Sequence, residues 1–273
     1  MANSITLLDT FLKMGANAIE IDIKFEKDGI PFFVYHGVPC DCFRWCHSSE
    51  ILTRYLDIAR IYSTPGDPRF VNSFVLLMFD LKSSTIQENL KFMAGKILAD
   101  KIIRHIFSDG QITSQLYLQI GIQELEDEDV LHGFMHELQI RNLNHIQDRI
   151  GWEITGFAPL SKIEKFWNSF RSLHNIWQGD GITNCLVAFR STQRLKEAIR
   201  GRDFCYIRPN AKCVQKVYHW TIDSKYLMRI SLRQNVDGII TNYPNTIISL
   251  LSEPEFKSKF RLADANDYPW SSF

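Results

Sequence analysis

The feature that most constrains the fold of this chain is its regular alternation of short apolar runs with longer segments of helical period. Apolar or β-branched runs of strand length recur along the sequence, and the segments between them repeat their apolar residues every three to four positions. No Pro-, Gly- or Ser-rich linker and no sequence repeat divides the 273 residues. This alternation predicts an α/β fold built as one unit.

Seven strands and eight helices follow from the pattern. We expect strands over 18–25, 74–80, 116–120, 152–156, 174–178, 214–220 and 238–241, and helices over 4–14, 49–61, 86–107, 127–142, 160–172, 192–200, 225–234 and 245–251. Because no Gly-rich phosphate-binding turn follows the first strand, a (β/α)₈ TIM barrel is favoured over a doubly wound sheet.

The strand count is one short of a closed barrel. The chain opens on a helix, with Ser4 as its expected N-cap, rather than on a strand. We therefore expect residues 1–273 to form a single TIM-barrel domain that lacks the first strand. The gap would leave backbone groups of its neighbours unpaired, which proteins normally avoid.

Charged residues end two of the predicted strands. The strand period of two places Glu20 and Asp22 on one face, and the apolar run 75–79 ends in Asp80 and Lys82, again two residues apart. Barrel enzymes carry their catalytic groups at such strand ends. Three carboxylates suit one Mg²⁺ ion, and Lys82 adds a positive charge for a phosphate oxygen. The alternative is that Glu20 and Asp22 form the solvated face of an edge strand.

Further candidates lie in a loop and on the last strands. His36, beside Gly37 in a loop, can act as a nucleophile or base toward phosphorus. Tyr218 and Trp220 share a strand face where they can cover a choline-like cation, or they can be core residues. Asn242 ends the last strand and can donate to a phosphate oxygen, or it can serve as a turn or capping residue.

Charge and cysteine content narrow the cellular setting. Lysine plus arginine equals aspartate plus glutamate at 31 each, so no global positive field favours nucleic acid. No apolar run is long enough to span a membrane. Three of the six cysteines crowd into 40–46, which favours an oxidising compartment. We expect a secreted protein, although the chain does not begin with a signal peptide. Zinc held by Cys40, Cys42, Cys46 and His47 is a weaker alternative.

Taken together, six segments resemble the sphingomyelinase D/phospholipase D toxins of spider venoms, with relatives in ticks. The segments are 15–22 (GANAIEID), 36–42 (HGVPCDC), 79–82 (FDLK), 177–185 (WQGDGITNC), 217–223 (VYHWTID) and 237–244 (DGIITNYP). The resemblance covers nearly the whole chain in order. It implies a dermonecrotic-toxin type of enzyme and a TIM barrel related to the glycerophosphodiester phosphodiesterases.

The resemblance also implies roles. Glu20, Asp22 and Asp80 would bind Mg²⁺, His36 would be the nucleophile, and Lys82, Tyr218, Trp220 and Asn242 would line the phosphate and headgroup pocket. Choline would leave sphingomyelin or lysophosphatidylcholine while a neighbouring lipid hydroxyl closes on phosphorus to give a cyclic phosphate. Disulfides Cys40–Cys46 and Cys42–Cys185 are implied, whereas Cys205 and Cys213 are open between a third bridge and free thiols. Residues 260–273 resemble the tail that covers the barrel bottom.

One departure from the family pattern concerns activity. In the family, a first strand ending in an acid/base histidine comes directly before the position matched by Met1, so we expect this chain to be impaired. The alternatives are a non-catalytic lipid-binding relative and a glycerophosphodiester phosphodiesterase. The expected partner is phospholipid at membrane surfaces or in lipoproteins, with no nucleic acid, and the expected state is a monomer.

Overall fold

The structure is a computed structural model that describes residues 2–37, 40, 42, 47–170, 172–205 and 212–271. Its strands and α-helices alternate along the chain as the sequence pattern predicts. In order they are α1 (Ile5–Lys13), β1 (Ala18–Phe25), β2 (Pro31–Val34), β3 (Glu50–Ile51), α2 (Leu52–Ser63), β4 (Leu76–Leu81), α3 (Lys91–His105), β5 (Tyr117–Ile122), α4 (Glu128–Ile140), β6 (Ile150–Ile154), α5 (Leu160–Ser169), β7 (Ile176–Gly181), α6 (Gln193–Cys205), β8 (Val214–Trp220), α7 (Lys225–Arg233), β9 (Gly238–Ile239) and α8 (Pro244–Leu251).

The sheet is an α/β barrel wall. Its strand order is β3-β2-β1-β4-β5-β6-β7-β8-β9, and every pair from β1 through β4 to β9 is parallel. These are the seven predicted strands, so the predicted fold class is confirmed. The hairpin of β2 and β3 was not predicted. Strand β2 is antiparallel to β1, and β3 is antiparallel to β2. Its strands have four and two residues, which is too short for a period of two to be visible.

The wall is held by the outward-facing residues of the strands. In β1, Ile19, Ile21 and Ile23 are buried against the helices, while Glu20 and Asp22 face the barrel interior. In β4, Leu77 and Phe79 are likewise buried on the outer face, which turns Asp80 inward. Alternation within each strand therefore separates the packing face from the face that carries charge.

Helix α1 follows the local signals of its sequence. The Ser4 side chain accepts a hydrogen bond from the Leu7 N–H at 3.3 Å, which makes it the N-cap that the sequence predicts. Leu8 and Leu12 are the buried residues of this helix. No helix in the described ranges is both long enough and apolar enough to cross a bilayer.

The barrel wall has a seam between β9 and β1. In the part of the chain that the structure describes, no ladder joins these two strands, as the strand count predicts. One backbone bond, from the Ala2 N–H to the Glu20 carbonyl at 3.4 Å, lies at this edge of β1. A cavity of about 820 Å³ extends from here toward the barrel bottom, and apolar residues that line it include Phe11, Met78 and Ile248.

The C-terminal tail lies across the amino ends of the strands. The Trp270 Nε1–H donates to the Asp148 carbonyl at 2.9 Å, and the Trp177 Nε1–H donates to the Pro269 carbonyl at 3.2 Å. The Tyr117 ring, at the start of β5, meets the ring of Trp270 edge to face at 5.9 Å. These contacts place the tail at the barrel bottom, opposite the carboxyl ends of the strands.

Candidate active site

Three carboxylates converge at the carboxyl ends of β1 and β4. Asp22 and Asp80 are register partners on these neighbouring parallel strands, so their side chains project inward at the same height. Glu20 lies two residues earlier on the same face of β1. One oxygen from each of the three carboxylates lies within 4.8 Å of the others. The predicted trio is thus brought together by strand register.

Lys82 bridges two of these carboxylates. Its Nζ lies 2.6 Å from Asp22 Oδ1 and 2.6 Å from Asp80 Oδ2. Asn3 holds Asp22 from the other side, since its Nδ2–H donates to Asp22 Oδ2 at 2.6 Å and its Oδ1 accepts from the Asp22 N–H at 3.0 Å. The Thr155 hydroxyl donates to Asp80 Oδ1 at 3.2 Å. Every carboxylate rotamer at Asp22 and Asp80 is therefore fixed by a partner.

The electrostatics of the trio are unbalanced. Burial, followed by the charge of Asp22, raises the pKa of Glu20 to about 8. Burial also raises the pKa of Asp80, although Lys82 opposes the shift. Burial alone would lower the pKa of Lys82, but the charges of Asp80 and Asp22 outweigh it and raise that pKa. Three carboxyl groups share one ammonium, so the site retains negative charge. All-oxygen donors with surplus negative charge fit a hard divalent cation such as Mg²⁺.

His36 directly follows β2, which is antiparallel to β1 and returns the chain toward Asp22. The Tyr35 N–H donates to the Asp22 carbonyl at 2.9 Å, so the next residue reaches the level of the carboxylates. The His36 Nδ1 is buried and has no hydrogen-bond partner among the described residues. A buried, unpaired ring nitrogen is costly, which is typical of a group that is satisfied only when a ligand binds.

Asn242 lies across the mouth and is fixed by Asp223. The Asn242 backbone N–H and Nδ2–H donate to the two Asp223 carboxylate oxygens at 2.8 and 2.9 Å. The Thr241 hydroxyl and the Asn184 side-chain amide also donate to Asp223. Burial opposes ionisation, but the hydrogen bonds from Asn242 and Asn184 outweigh it and lower the pKa of Asp223. Asp223 therefore stays ionised and holds the strand-end asparagine in one orientation.

The two aromatic residues of β8 lie at different depths. Tyr218 is buried in the barrel interior, and its hydroxyl is hydrogen-bonded to Glu153 Oε2 at 2.9 Å. Trp220 is partly exposed and stacks on Phe157 with ring centroids 6.1 Å apart and an interplanar angle of 23°. The Arg190 guanidinium lies 4.6 Å from the Phe157 ring centroid. Trp220 therefore lies at the rim of the mouth, and Tyr218 lies deeper on the same inward face of β8.

Disulfides tie the mouth loops together. Cys42, in the loop between β2 and β3, is bonded to Cys185, in the loop after β7, as predicted. Cys205 and Cys213 form a second bridge, which answers the alternative left open for them. Cys40 is disulfide-bonded, whereas its predicted partner Cys46 lies outside the described residues. Because Cys40 and Cys42 are both in disulfides, the zinc alternative is wrong.

Three residues of this site were not predicted as such. Asn3, Glu153 and Asp223 each fix a predicted site residue through hydrogen bonds. Glu153 could have been identified from the sequence, because it is a single acidic residue within the apolar run of β6 and strand alternation points it into the barrel. Asp223 lies in a quoted motif, but its partners come from 18 and 19 residues away.

Comparisons with known proteins agree on one family. The family model described as dermonecrotic toxin SPH matches residues 1–270. A dermonecrotic toxin of Loxosceles cf. spinulosa is 41% identical over 271 residues, covering 99% of this chain and 97% of its own. One from Sicarius patagonicus is 40% identical over 273 residues, covering 100% and 97%.

Solved structures with the same fold are more distant in sequence. A phosphodiesterase of Oleispira antarctica, in complex with sn-glycerol-3-phosphate, matches with a TM-score of 0.54 and 14% identity, covering 92% of this chain and 91% of that one. A glycerophosphodiester phosphodiesterase of Parabacteroides distasonis matches with a TM-score of 0.54 and 15% identity, covering 91% and 89%. These matches support the barrel fold.

Proposed function

The chain belongs to the dermonecrotic toxin SPH family, and from that premise we propose that it is a Mg²⁺-dependent phospholipase D of the sphingomyelinase D type. It would cleave choline from sphingomyelin and lysophosphatidylcholine and leave a cyclic phosphate. The observation that carries the proposal is the convergence of Glu20, Asp22 and Asp80 around one point, with Lys82 bridging two of them.

The acidic trio would hold the cation. Bound there, Mg²⁺ would withdraw charge from the phosphoryl oxygens of the substrate. Lys82 is the second positive group at this point, and its raised pKa keeps it charged across the neutral range. Glu20, whose pKa is about 8, must lose its proton before it can act as an anionic ligand. Metal affinity is therefore expected to rise with pH up to about 8.

His36 would attack phosphorus. The hydrogen bond from the Tyr35 N–H to the Asp22 carbonyl supports this role, because it brings the residue before His36 to the strand that carries Glu20 and Asp22. As the bond from a His36 nitrogen to phosphorus forms, the bond from phosphorus to the choline oxygen breaks, and that oxygen takes a proton. The neighbouring lipid hydroxyl then displaces the histidine and closes the cyclic phosphate, giving up its proton in turn. An internal hydroxyl is already close to phosphorus and so outcompetes water.

The mouth offers a surface for the headgroup. Trp220 and Phe157 stack at the rim, and Phe157 is 54% exposed. Aromatic faces attract quaternary ammonium groups such as choline. Asn242, held by Asp223, presents its amide at the same end of the barrel. We infer that the protein acts after secretion, as a monomer, on phospholipid at membrane surfaces or in lipoproteins.

Choline release tests the proposal. The protein is incubated with sphingomyelin vesicles, with lysophosphatidylcholine and with glycerophosphocholine, each with Mg²⁺ or with a chelator. Choline is measured enzymatically, and the phosphorus product is identified by ³¹P NMR. We expect Mg²⁺-dependent release from the two lipids and a cyclic phosphate signal. Asp80→Asn serves as the inactive control, since it removes one carboxylate of the trio.

Two results would point elsewhere. Binding to the vesicles without any choline release would favour the non-catalytic lipid-binding alternative. Turnover of glycerophosphocholine alone would favour a glycerophosphodiester phosphodiesterase.

A further inference from the structure

Glu153 is a buried carboxyl group at the centre of the barrel. It projects inward from β6, is 1% exposed and has two hydrogen-bond partners. The Gly179 N–H lies 2.7 Å from its Oε1, and the Tyr218 hydroxyl lies 2.9 Å from its Oε2. The two oxygens therefore have different partners, a fixed donor on β7 and a hydroxyl on β8.

The surroundings of Glu153 favour its neutral form. In the described part of the chain it forms no ion pair, and the guanidinium of Arg194 on α6 is bonded to Asp180 at 2.8 Å. The other charged or titratable groups that act on it are Asp80 on β4 and Tyr218 on β8. Burial, opposed by the bonds from Tyr218 and Gly179, raises the pKa of Glu153 to about 8. A carboxyl that keeps its hydrogen can donate as well as accept.

Gly179 makes room for this arrangement. A Cβ at position 179 would lie 2.6 Å from Tyr218 Cζ and 2.7 Å from Glu153 Oε1. The glutamate and the phenol therefore pack directly on the glycine backbone. Only one hydrogen can lie between Tyr218 Oη and Glu153 Oε2. If Glu153 supplies this hydrogen, the hydroxyl hydrogen of Tyr218 points elsewhere. If Tyr218 supplies it, that hydrogen is no longer free for another partner.

We propose that Glu153 is a positioning residue, which donates its carboxyl hydrogen to Tyr218 Oη so that the Tyr218 hydroxyl presents its own hydrogen to the cleft. There it donates to a phosphoryl oxygen. An ionised Glu153 would instead accept the phenolic hydrogen and leave only oxygen lone pairs facing an anionic substrate. This inference rests on the proposed function. It adds that the phosphate pocket needs a neutral carboxyl group behind Tyr218.

The contacts of Tyr218 support this role. Its pKa is raised by burial and by the charges of Glu153, Asp80 and Glu20. The phenol is therefore close enough to sense the acidic trio. A hydrogen bond that it gives to substrate would act where negative charge develops on phosphorus.

Three variants separate the explanations. Gln at position 153 keeps an oxygen for Gly179 and offers an amide hydrogen to Tyr218 Oη, so Glu153→Gln mimics the neutral acid. We expect kcat/KM within about 3-fold of wild type for it. Glu153→Leu removes both bonds, and we expect a loss of about 10²-fold, mainly in kcat. Tyr218→Phe should lose a similar factor of about 10², because it removes the hydroxyl that Glu153 positions, and Tyr218→Phe combined with Glu153→Leu should be no worse than either single variant.

Glu137→Gln is the matched control. Glu137 is also a buried carboxylate, but it lies on the outer helix α4 and pairs with Arg141 just after that helix. It should leave choline release unchanged. Thermal melts of each variant identify any that fail to fold. If Glu153→Gln is as slow as folded Glu153→Leu, or if folded Glu153→Leu retains wild-type activity, the inference is wrong.

An infrared measurement keeps the inference testable without turnover. The difference spectrum between wild type and Glu153→Gln at pH 6 should show the C=O stretch of one protonated carboxyl group, and Tyr218→Phe should shift that band. Absence of the band would overturn the inference even in an active enzyme. A band in a protein that releases no choline would instead count against the proposed function alone.

Discussion

The two ends of the barrel both carry buried or half-buried charge, but they balance it differently. At the mouth, three carboxyl groups share Lys82, and burial raises the pKa of Glu20 to about 8. At the bottom, Asp237 and Asp267 pair with arginines. Asp237 pairs with Arg202, and the hydrogen bonds from Arg261 lower the pKa of Asp267 to about 2.

The difference separates stability from function. At the bottom, the hydrogen bonds from Arg261 favour the ionised form of Asp267, whose charge helps to hold the tail in place. The crowded carboxyls at the mouth oppose folding, since each raises the cost of ionising the next. Such a cost is typical of a site that is completed by a ligand. Carboxylates of opposite pKa shift therefore mark opposite roles within one barrel.

The largest expected effect is on activity, and it is tested by two variants that each remove one carboxylate, one at either end of the barrel. Asp80→Asn should lower kcat/KM for choline release by about 10³-fold or more, because the cation and the developing phosphoryl charge lose a ligand. Asp237→Asn should stay within about 3-fold of wild type, because it lies far from the cleft. Similar losses in both variants would erase the functional distinction between the two ends.

The second test concerns the tail. Trp270 is 5% exposed and packs on Tyr117 and Trp177 at the strand starts. Trp270→Ala should lower the free energy of unfolding by about 3 kcal/mol in urea titrations, through lost burial and a cavity. Its kcat/KM should not change in the absence of denaturant. A specific loss of activity in a variant that remains fully folded would show that the bottom contributes to catalysis.

The third test uses pH. Glu20 and Glu153 both have pKa values raised to about 8, so between the unfolded value near 4.5 and 8 the folded protein binds more protons than the unfolded chain. Stability from these groups is complete below about pH 4.5 and is lost as pH rises through 8. The free energy of unfolding of metal-free protein should therefore fall with rising pH, and in urea titrations this fall should be smaller by roughly 2 kcal/mol in Glu153→Gln. An unchanged slope would contradict the burial effect assigned to Glu153.

The smallest expected change in stability is a gain rather than a loss. Glu20→Gln removes one of the crowded carboxyls, so at pH 9 it should stabilise the metal-free protein by about 1 kcal/mol while abolishing metal-dependent choline release. Differential scanning calorimetry with and without Mg²⁺ measures both parts, because the metal should stabilise wild type only. A destabilised Glu20→Gln variant would mean that the mouth carboxylates are structural.

How much of the fold the sequence predicts depends on periodicity. The bounds of β1 and β8 match the prediction residue for residue, because alternating inward and outward residues fill both strands. The predicted helix 86–107 begins at Lys91 instead, after two short 3₁₀ turns that share its apolar period. The strands of the hairpin are too short to show any period.

The site is predictable only in part for a different reason. Glu20, Asp22, Asp80 and Lys82 are visible because parity and position within single strands place them at the mouth. The orientation of Tyr218 depends on Glu153, which belongs to another strand 65 residues away. The stacking of Phe157 on Trp220 also joins the loop after β6 to the end of β8. Contacts between distant segments leave no trace in local spacing.

The seam between β9 and β1 affects the geometry of the whole mouth. In a closed barrel, strand number and stagger fix the diameter, because the hydrogen bonds run all the way round. Among the described residues, the sheet ends at β3, beyond β1 and β2, on one side and at β9 on the other, and no ladder joins β9 to β1. At the seam, Ile248 of α8 lies so close to Gly15, which follows α1, that it leaves no room for a Cβ at position 15. At this point the two edges of the barrel wall meet through a side-chain contact rather than through strand pairing.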